Sequence, residues 1–197
     1  VVPELAEYSW AGPPENAALA RIAFAPDGRS RSGRTTGSAL GWGVGAAIGV
    51  KLARPDRQVV ALQGDGGFLF GQAETLWTMA RHEVPVLVVV LNNRSYNGPR
   101  NKILREAQSK QAATGRDMTC YLGSPDVHFA DVARAFGVAA EAVTEPGDLA
   151  DALERAIAST RDGRPFLLEI VVARTGLGAD STWYPPYSVA ALRTRKV

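Results

Sequence analysis

The sequence is poor in the residues that hold metals by themselves: it has one cysteine, Cys120, and two histidines. An internal disulfide is therefore excluded, as are a CxxC redox pair and a zinc centre built on cysteine and histidine. A reducing, cytoplasmic setting fits this usage. No apolar run reaches the roughly 18 residues that a membrane-spanning helix needs, and the first residues do not pair a basic segment with an apolar one. Nor is there a strong excess of one charge: 22 Lys and Arg stand against 20 Asp and Glu, a net +2 that gives no electrostatic footprint for nucleic acid. What remains is a globular composition, 46% hydrophobic, in 197 residues, enough for one well-cored α/β domain.

Organisation along the chain supports three segments. Residues 1–36 are expected to be irregular: Trp10 to Pro14 is punctuated by glycine and proline, Ala25 to Gly28 reads as a turn, and only Ala17 to Ala23 has helical composition. Residues 37–175 form the α/β domain, and residues 176–197 are an aromatic, proline-rich arm or lid containing Trp183 and Tyr184. Within the domain, Gly41, Gly45 and Gly49 recur every four residues, which predicts a helix ending near Ala53 with a glycine face open to close packing. Gln58 to Gln63, Val86 to Leu91 and Phe166 to Val172 read as unbroken aliphatic strands, and Val138 to Val143 as a further strand. Such runs suit an open, mostly parallel sheet with helices on both faces. Helices are predicted over Gln72 to Arg81, Lys102 to Ala113, Phe129 to Phe136 and Leu149 to Arg161.

In such a sheet, ligands bind beyond the carboxyl ends of the strands. Two polar clusters stand there. Gly64-Asp65-Gly66-Gly67 sets a carboxylate among backbone N–H groups with no side chains above them, and leads toward a helix. N–H groups arranged in this way hold phosphate, yet Asp65 would repel it unless a cation lay between. Mg²⁺, a hard ion that bridges carboxylates and diphosphates, resolves the conflict. Asn92, closing the strand that starts at Val86, adds an amide oxygen, and the two groups reach one point if their strands are neighbours. Either cluster alone is an ordinary turn; together, at matching ends of two strands, they indicate a site.

These motifs, with Leu40-Gly41-Trp42-Gly43-Val44-Gly45-Ala46-Ala47-Ile48-Gly49, resemble the diphosphate-binding domain of thiamine-diphosphate-dependent enzymes, in the branch of acetolactate synthase, benzoylformate decarboxylase and 2-hydroxyacyl-CoA lyase. The resemblance implies Mg²⁺ ligands at Asp65, Asn92 and the main-chain oxygen of Arg94. It implies a diphosphate cradle around Gly64, Gly66 and Gly67, where many relatives have Ser in place of Gly67. Leu40 corresponds to the apolar residue that bends the cofactor into a V, and Ser38 and Ala39 to the backbone facing its pyrimidine. Tyr96 and Asn97 correspond to substrate-facing positions, with plain loop packing as the alternative.

The implied activity is that of a carbon–carbon lyase, decarboxylase or carboligase acting on a 2-oxo acid or 2-hydroxyacyl small molecule through a C2 ylid. The alternatives are a non-catalytic or regulatory thiamine-diphosphate-binding subunit and a different Rossmann-like nucleotide enzyme. The latter lacks support from any Gly-x-Gly-x-x-Gly or Walker lysine. The glutamate that activates the cofactor belongs, in this family, to a separate pyrimidine-binding domain. Glu74 sits in the wrong element for it. The chain is thus expected to supply half of an active site, as a subunit or as a piece of a longer chain, within a hetero- or homo-oligomer. Apolar helix faces around Trp42 and Trp77 agree with that expectation.

Overall fold

A computed structural model of the protein describes residues 2–4, 40–71, 73–100, 120–123 and 125–173. Five strands form one parallel sheet: β1 (Val2–Glu4), β2 (Val59–Gly64), β3 (Val86–Asn92), β4 (Ala139–Val143) and β5 (Phe166–Val171), in the order β1-β2-β3-β5-β4. The described helices are α1 (Gly43–Ala53), the single turn α2 (Asp65–Phe68), α3 (Ala73–Arg81), α4 (Phe129–Ala135) and α5 (Leu149–Arg161). A 3₁₀ turn, Pro146–Asp148, leads into α5.

β3 explains why the sheet is covered on both faces. Its side chains alternate, so Val86, Val88 and Val90 enter one cluster while Leu87 and Val89 enter another. The first cluster includes Val44 and Ala47 of α1, Leu76 and Met79 of α3, and Phe129 and Ala133 of α4. The second packs on α5 through Ala152 and Ala156, whose small side chains, four residues apart, let that helix lie close to the sheet. Glu141 of β4 accepts two hydrogen bonds from the Arg155 guanidinium of α5, at 2.6 and 3.0 Å, tying the edge strand to its cover.

Two expectations are corrected. A strand stands at Val2–Glu4, inside the segment read as irregular, and pairs in register with Ala61 to Gln63. Three residues carry no periodicity signal, and Pro3 is tolerated on an edge strand because its missing N–H costs no ladder bond there. The glycine face of α1 is exposed: apart from the helix's own backbone, no described atom lies within 4 Å of a Cβ placed at Gly45 or Gly49. Gly41, the third member of that series, precedes the helix altogether. The helices expected at 17–23 and 102–113, and the arm at 176–197, lie outside the described residues.

Candidate functional site

β2 and β3 are hydrogen-bonded neighbours from Val59↔Val86 to Gly64↔Leu91, so their carboxyl ends finish side by side. Asp65 begins α2 immediately after β2, and Asn92 is the last residue of β3. Both are buried, each with 3% of its surface exposed. The loop after β3 joins them. Arg94 adopts the left-handed conformation, φ +56°, which is uncommon for a residue with a side chain. The kink sends consecutive N–H groups to different partners: Arg94 N donates to Asn92 Oδ1 at 3.1 Å, and Ser95 N to Asp65 Oδ2 at 3.1 Å. One peptide thus separates the anchors of the two side-chain oxygens.

The rest of the loop is fixed from outside. Tyr96 N donates to Cys120 O, and Leu122 N to Arg94 O, leaving that carbonyl one lone pair. Arg94 Nε pairs with Asp126 Oδ2 at 2.7 Å. Residues 97–100 are helical, beginning at Asn97. Tyr96 covers the glycine turn: a Cβ on Gly66 would stand 2.4 Å from its ring. Its other neighbour is Phe70, with ring centroids 5.7 Å apart. Gly41, at φ +93°, lies against the Phe70 carbonyl, where a Cβ would come within 2.2 Å. That contact brings Leu40, half exposed, to the same end of the sheet. Ser38 and Ala39 lie outside the described residues.

Burial pushes the Asp65 carboxyl above the usual carboxylate range, and the backbone N–H groups of Gly66, Ser95, Arg94 and Asn93 oppose that rise. A buried anion without a cation is costly, and a hard dication would offset it. The available donors suit such an ion: a carboxylate, an amide oxygen and the main-chain oxygen of Arg94 are all hard oxygens. Ser95 Oγ, buried and without a hydrogen-bond partner among the described residues, is a further oxygen in the same loop. No group of three His, Cys, Asp or Glu that could hold a metal occurs among the described residues.

The sequence reading missed one member of this cluster. Glu169 interrupts the strand taken as unbroken, and a lone carboxylate within FLLEIV was the available signal. It is 3% exposed and accepts from Asn92 Nδ2 at 2.7 Å and Ala130 N at 2.9 Å. His128 occupies the N-cap of α4 but makes no side-chain capping bond.

Among known families, the one described as thiamine pyrophosphate enzyme, C-terminal TPP binding domain, matches residues 17–170. The acetolactate synthase large subunit IlvG of Mycobacterium tuberculosis is 40% identical over 133 residues, covering 67% of this chain and 22% of that protein. Human 2-hydroxyacyl-CoA lyase 2 is 34% identical over 140 residues, covering 69% and 20%. In structure, the chain resembles the thiamine diphosphate-dependent 4-hydroxybenzoylformate decarboxylase of Rhodococcus jostii RHA1, with a TM-score of 0.58 and 34% identity over 69% of this chain and 24% of that one. The chain spans about a fifth to a quarter of the length of the curated relatives it matches.

Proposed function

The chain belongs to the thiamine pyrophosphate enzyme family, as the C-terminal TPP-binding domain, and from that membership we propose that it supplies the diphosphate- and Mg²⁺-binding half of a carbon–carbon lyase, decarboxylase or carboligase. Its substrate class is a 2-oxo acid or 2-hydroxyacyl compound. The observation that carries the proposal is the convergence of Asp65 and Asn92 on the adjacent N–H groups of Ser95 and Arg94.

In this reading Asp65, Asn92 Oδ1 and Arg94 O ligate Mg²⁺, and the backbone of Gly64, Gly66 and Gly67 cradles the diphosphate, the Tyr96 ring filling the space over Gly66. Gly67 contributes no hydroxyl, so contact at that position comes from the backbone. Leu40, held at the mouth of the site through Gly41, offers an apolar surface to the cofactor, with Ser38 and Ala39 facing its pyrimidine. Tyr96 and Asn97 face the substrate. When bound, thiamine diphosphate supplies a nucleophilic carbon and an electron sink for cleavage beside a carbonyl. This chain's own work is to anchor and orient. The activating glutamate comes from a pyrimidine-binding domain, on a partner subunit or elsewhere in a longer chain, and the working assembly is an oligomer in the cytoplasm. Among the described residues no helix is long and apolar enough to cross a membrane.

Calorimetric titration with thiamine diphosphate, with and without Mg²⁺, tests the site. The expected result is Mg²⁺-dependent binding by the wild type and none by Asp65→Ala. Equal binding by the variant would remove Asp65 from the site and the proposal with it.

A further inference from the structure

An asparagine that ligates a metal has a problem that an aspartate does not. Its two ends are nearly identical in size, but only the oxygen can bind a cation, so the surroundings must decide which end faces the ion. We infer that Glu169 is the positioning residue for Asn92: it holds the amide nitrogen and thereby keeps Oδ1 directed to the loop of Arg94. The inference rests on the Mg²⁺ reading given above.

The register of the sheet places the two residues together. Even-numbered residues of β3 and odd-numbered residues of β5 share the face covered by α4, as Val88 and Leu167 in one core cluster demonstrate. Val90 pairs with Glu169 and Asn92 with Val171, so the side chains of Asn92 and Glu169 are diagonal neighbours on that face. Asn92 Nδ2 donates to Glu169 Oε1 at 2.7 Å and approaches Val127 O at 3.4 Å, while Oδ1 accepts from Arg94 N. Turning the amide over would set its oxygen against two acceptors and its NH₂ against a donor.

Glu169 is suited to this because both of its oxygens must accept. Oε2 takes the Ala130 N–H, near the start of α4, while Oε1 takes the Asn92 amide. Only an ionised carboxylate offers acceptors at both ends; a glutamine of the same shape offers one. Bonds to an ionised acceptor are also the stronger kind, and they polarise the amide so that its oxygen becomes a better ligand. The neighbours on this face, Val90 and Leu167, are fully buried and apolar, so a carboxylate among them is costly unless it has such a task.

Glu169→Gln forces a choice. Either the new amide faces Ala130 N–H, or it faces Asn92 and turns that residue's NH₂ toward the metal. Asn92→Asp alone sets two carboxylates against each other. Combined, the two substitutions are complementary: the new glutamine donates to the new aspartate, keeps its own oxygen for Ala130, and leaves an aspartate oxygen for the metal.

The test uses the full chain with any partner that co-purifies. It reads the Mg²⁺ concentration that half-saturates thiamine diphosphate binding, alongside thermal unfolding without cofactor. Glu169→Gln is expected to raise that concentration about 10- to 100-fold. The double variant is expected to recover most of the loss, which a purely structural carboxylate could not explain. A shift within about twofold for Glu169→Gln, or singles that simply add in the double, would overturn the positioning role. A double variant that fails to fold or bind would overturn it as well. If the wild type shows no Mg²⁺-dependent binding, the cofactor reading itself fails and this role falls with it; wild-type binding with an unaffected Glu169→Gln sinks the positioning role alone.

Discussion

Gly66 is a residue whose importance runs opposite to helix propensity. It lies within α2, where alanine would ordinarily be favoured by about 1 kcal/mol. A methyl group there would meet the Tyr96 ring at 2.4 and 2.6 Å, and one of the two must move. Gly66→Ala is therefore expected to destabilise the fold, by about 1–3 kcal/mol, an overpacking cost that outweighs the helix gain. Chemical denaturation measures it, and Tyr96→Ala in the same background should return most of the loss. A Gly66→Ala variant as stable as the wild type would mean that the ring turns aside freely. Arg94 is the second such residue. Its left-handed backbone is a local cost, of about 1–2 kcal/mol for a residue with a Cβ, accepted where Arg94 N and Ser95 N must reach Asn92 and Asp65.

Among the elements, β3 was legible because seven residues, all apolar except the last, leave few alternatives to a central strand. α5 was equally clear, since its bounds at Leu149 and Arg161 follow from apolar spacing and from the turn residues on either side. β1 was not legible: three residues owe their conformation to the β2 edge they pair with, not to their own pattern. The exposed α1 glycines mislead for a related reason, because periodicity marks a face without saying what lies opposite. The β4–α5 link gives a prediction of its own. Arg155 beside Glu141 holds its carboxyl below the usual range. A depressed folded-state pKa means the contribution is complete above the ordinary carboxylate range and is lost as pH falls through the depressed value. Glu141→Gln should therefore lower the unfolding temperature slightly at neutral pH, with the difference from wild type closing in acid. A difference that stayed constant into acid would assign the effect to packing instead.

For the whole molecule, the site end of the sheet has an unfinished surface. Phe70 is 53% exposed and Leu40 49%, and these two stand together through the contact of Gly41 with Phe70. Large apolar side chains exposed side by side are the kind of surface that a partner or ligand covers. If a pyrimidine-binding domain completes the site, it covers this end. Hydroxyl-radical footprinting should then find Phe70 protected in the assembly and oxidised in the isolated chain. Oxidation unchanged by assembly would send the partner to another face. Trp77, 55% exposed on α3, reports in the same experiment whether assembly also covers that helix.

What the sequence determined by itself was the class of fold and the two polar clusters that end its strands. Aliphatic runs dictate buried parallel strands, and Asp65 and Asn92 stand out because they follow two such runs at matching ends. The tertiary structure alone decided which groups meet. That β2 neighbours β3, that Arg94 turns left-handed, and that Glu169 lies diagonal to Asn92 are consequences of strand order and register. Those are long-range pairings, and no local pattern of residues encodes them. Glu169 shows the physical reason most plainly: in the sequence it is one charge in an apolar strand, and only the packing of β3 and α4 around it supplies the two donors that make its burial affordable.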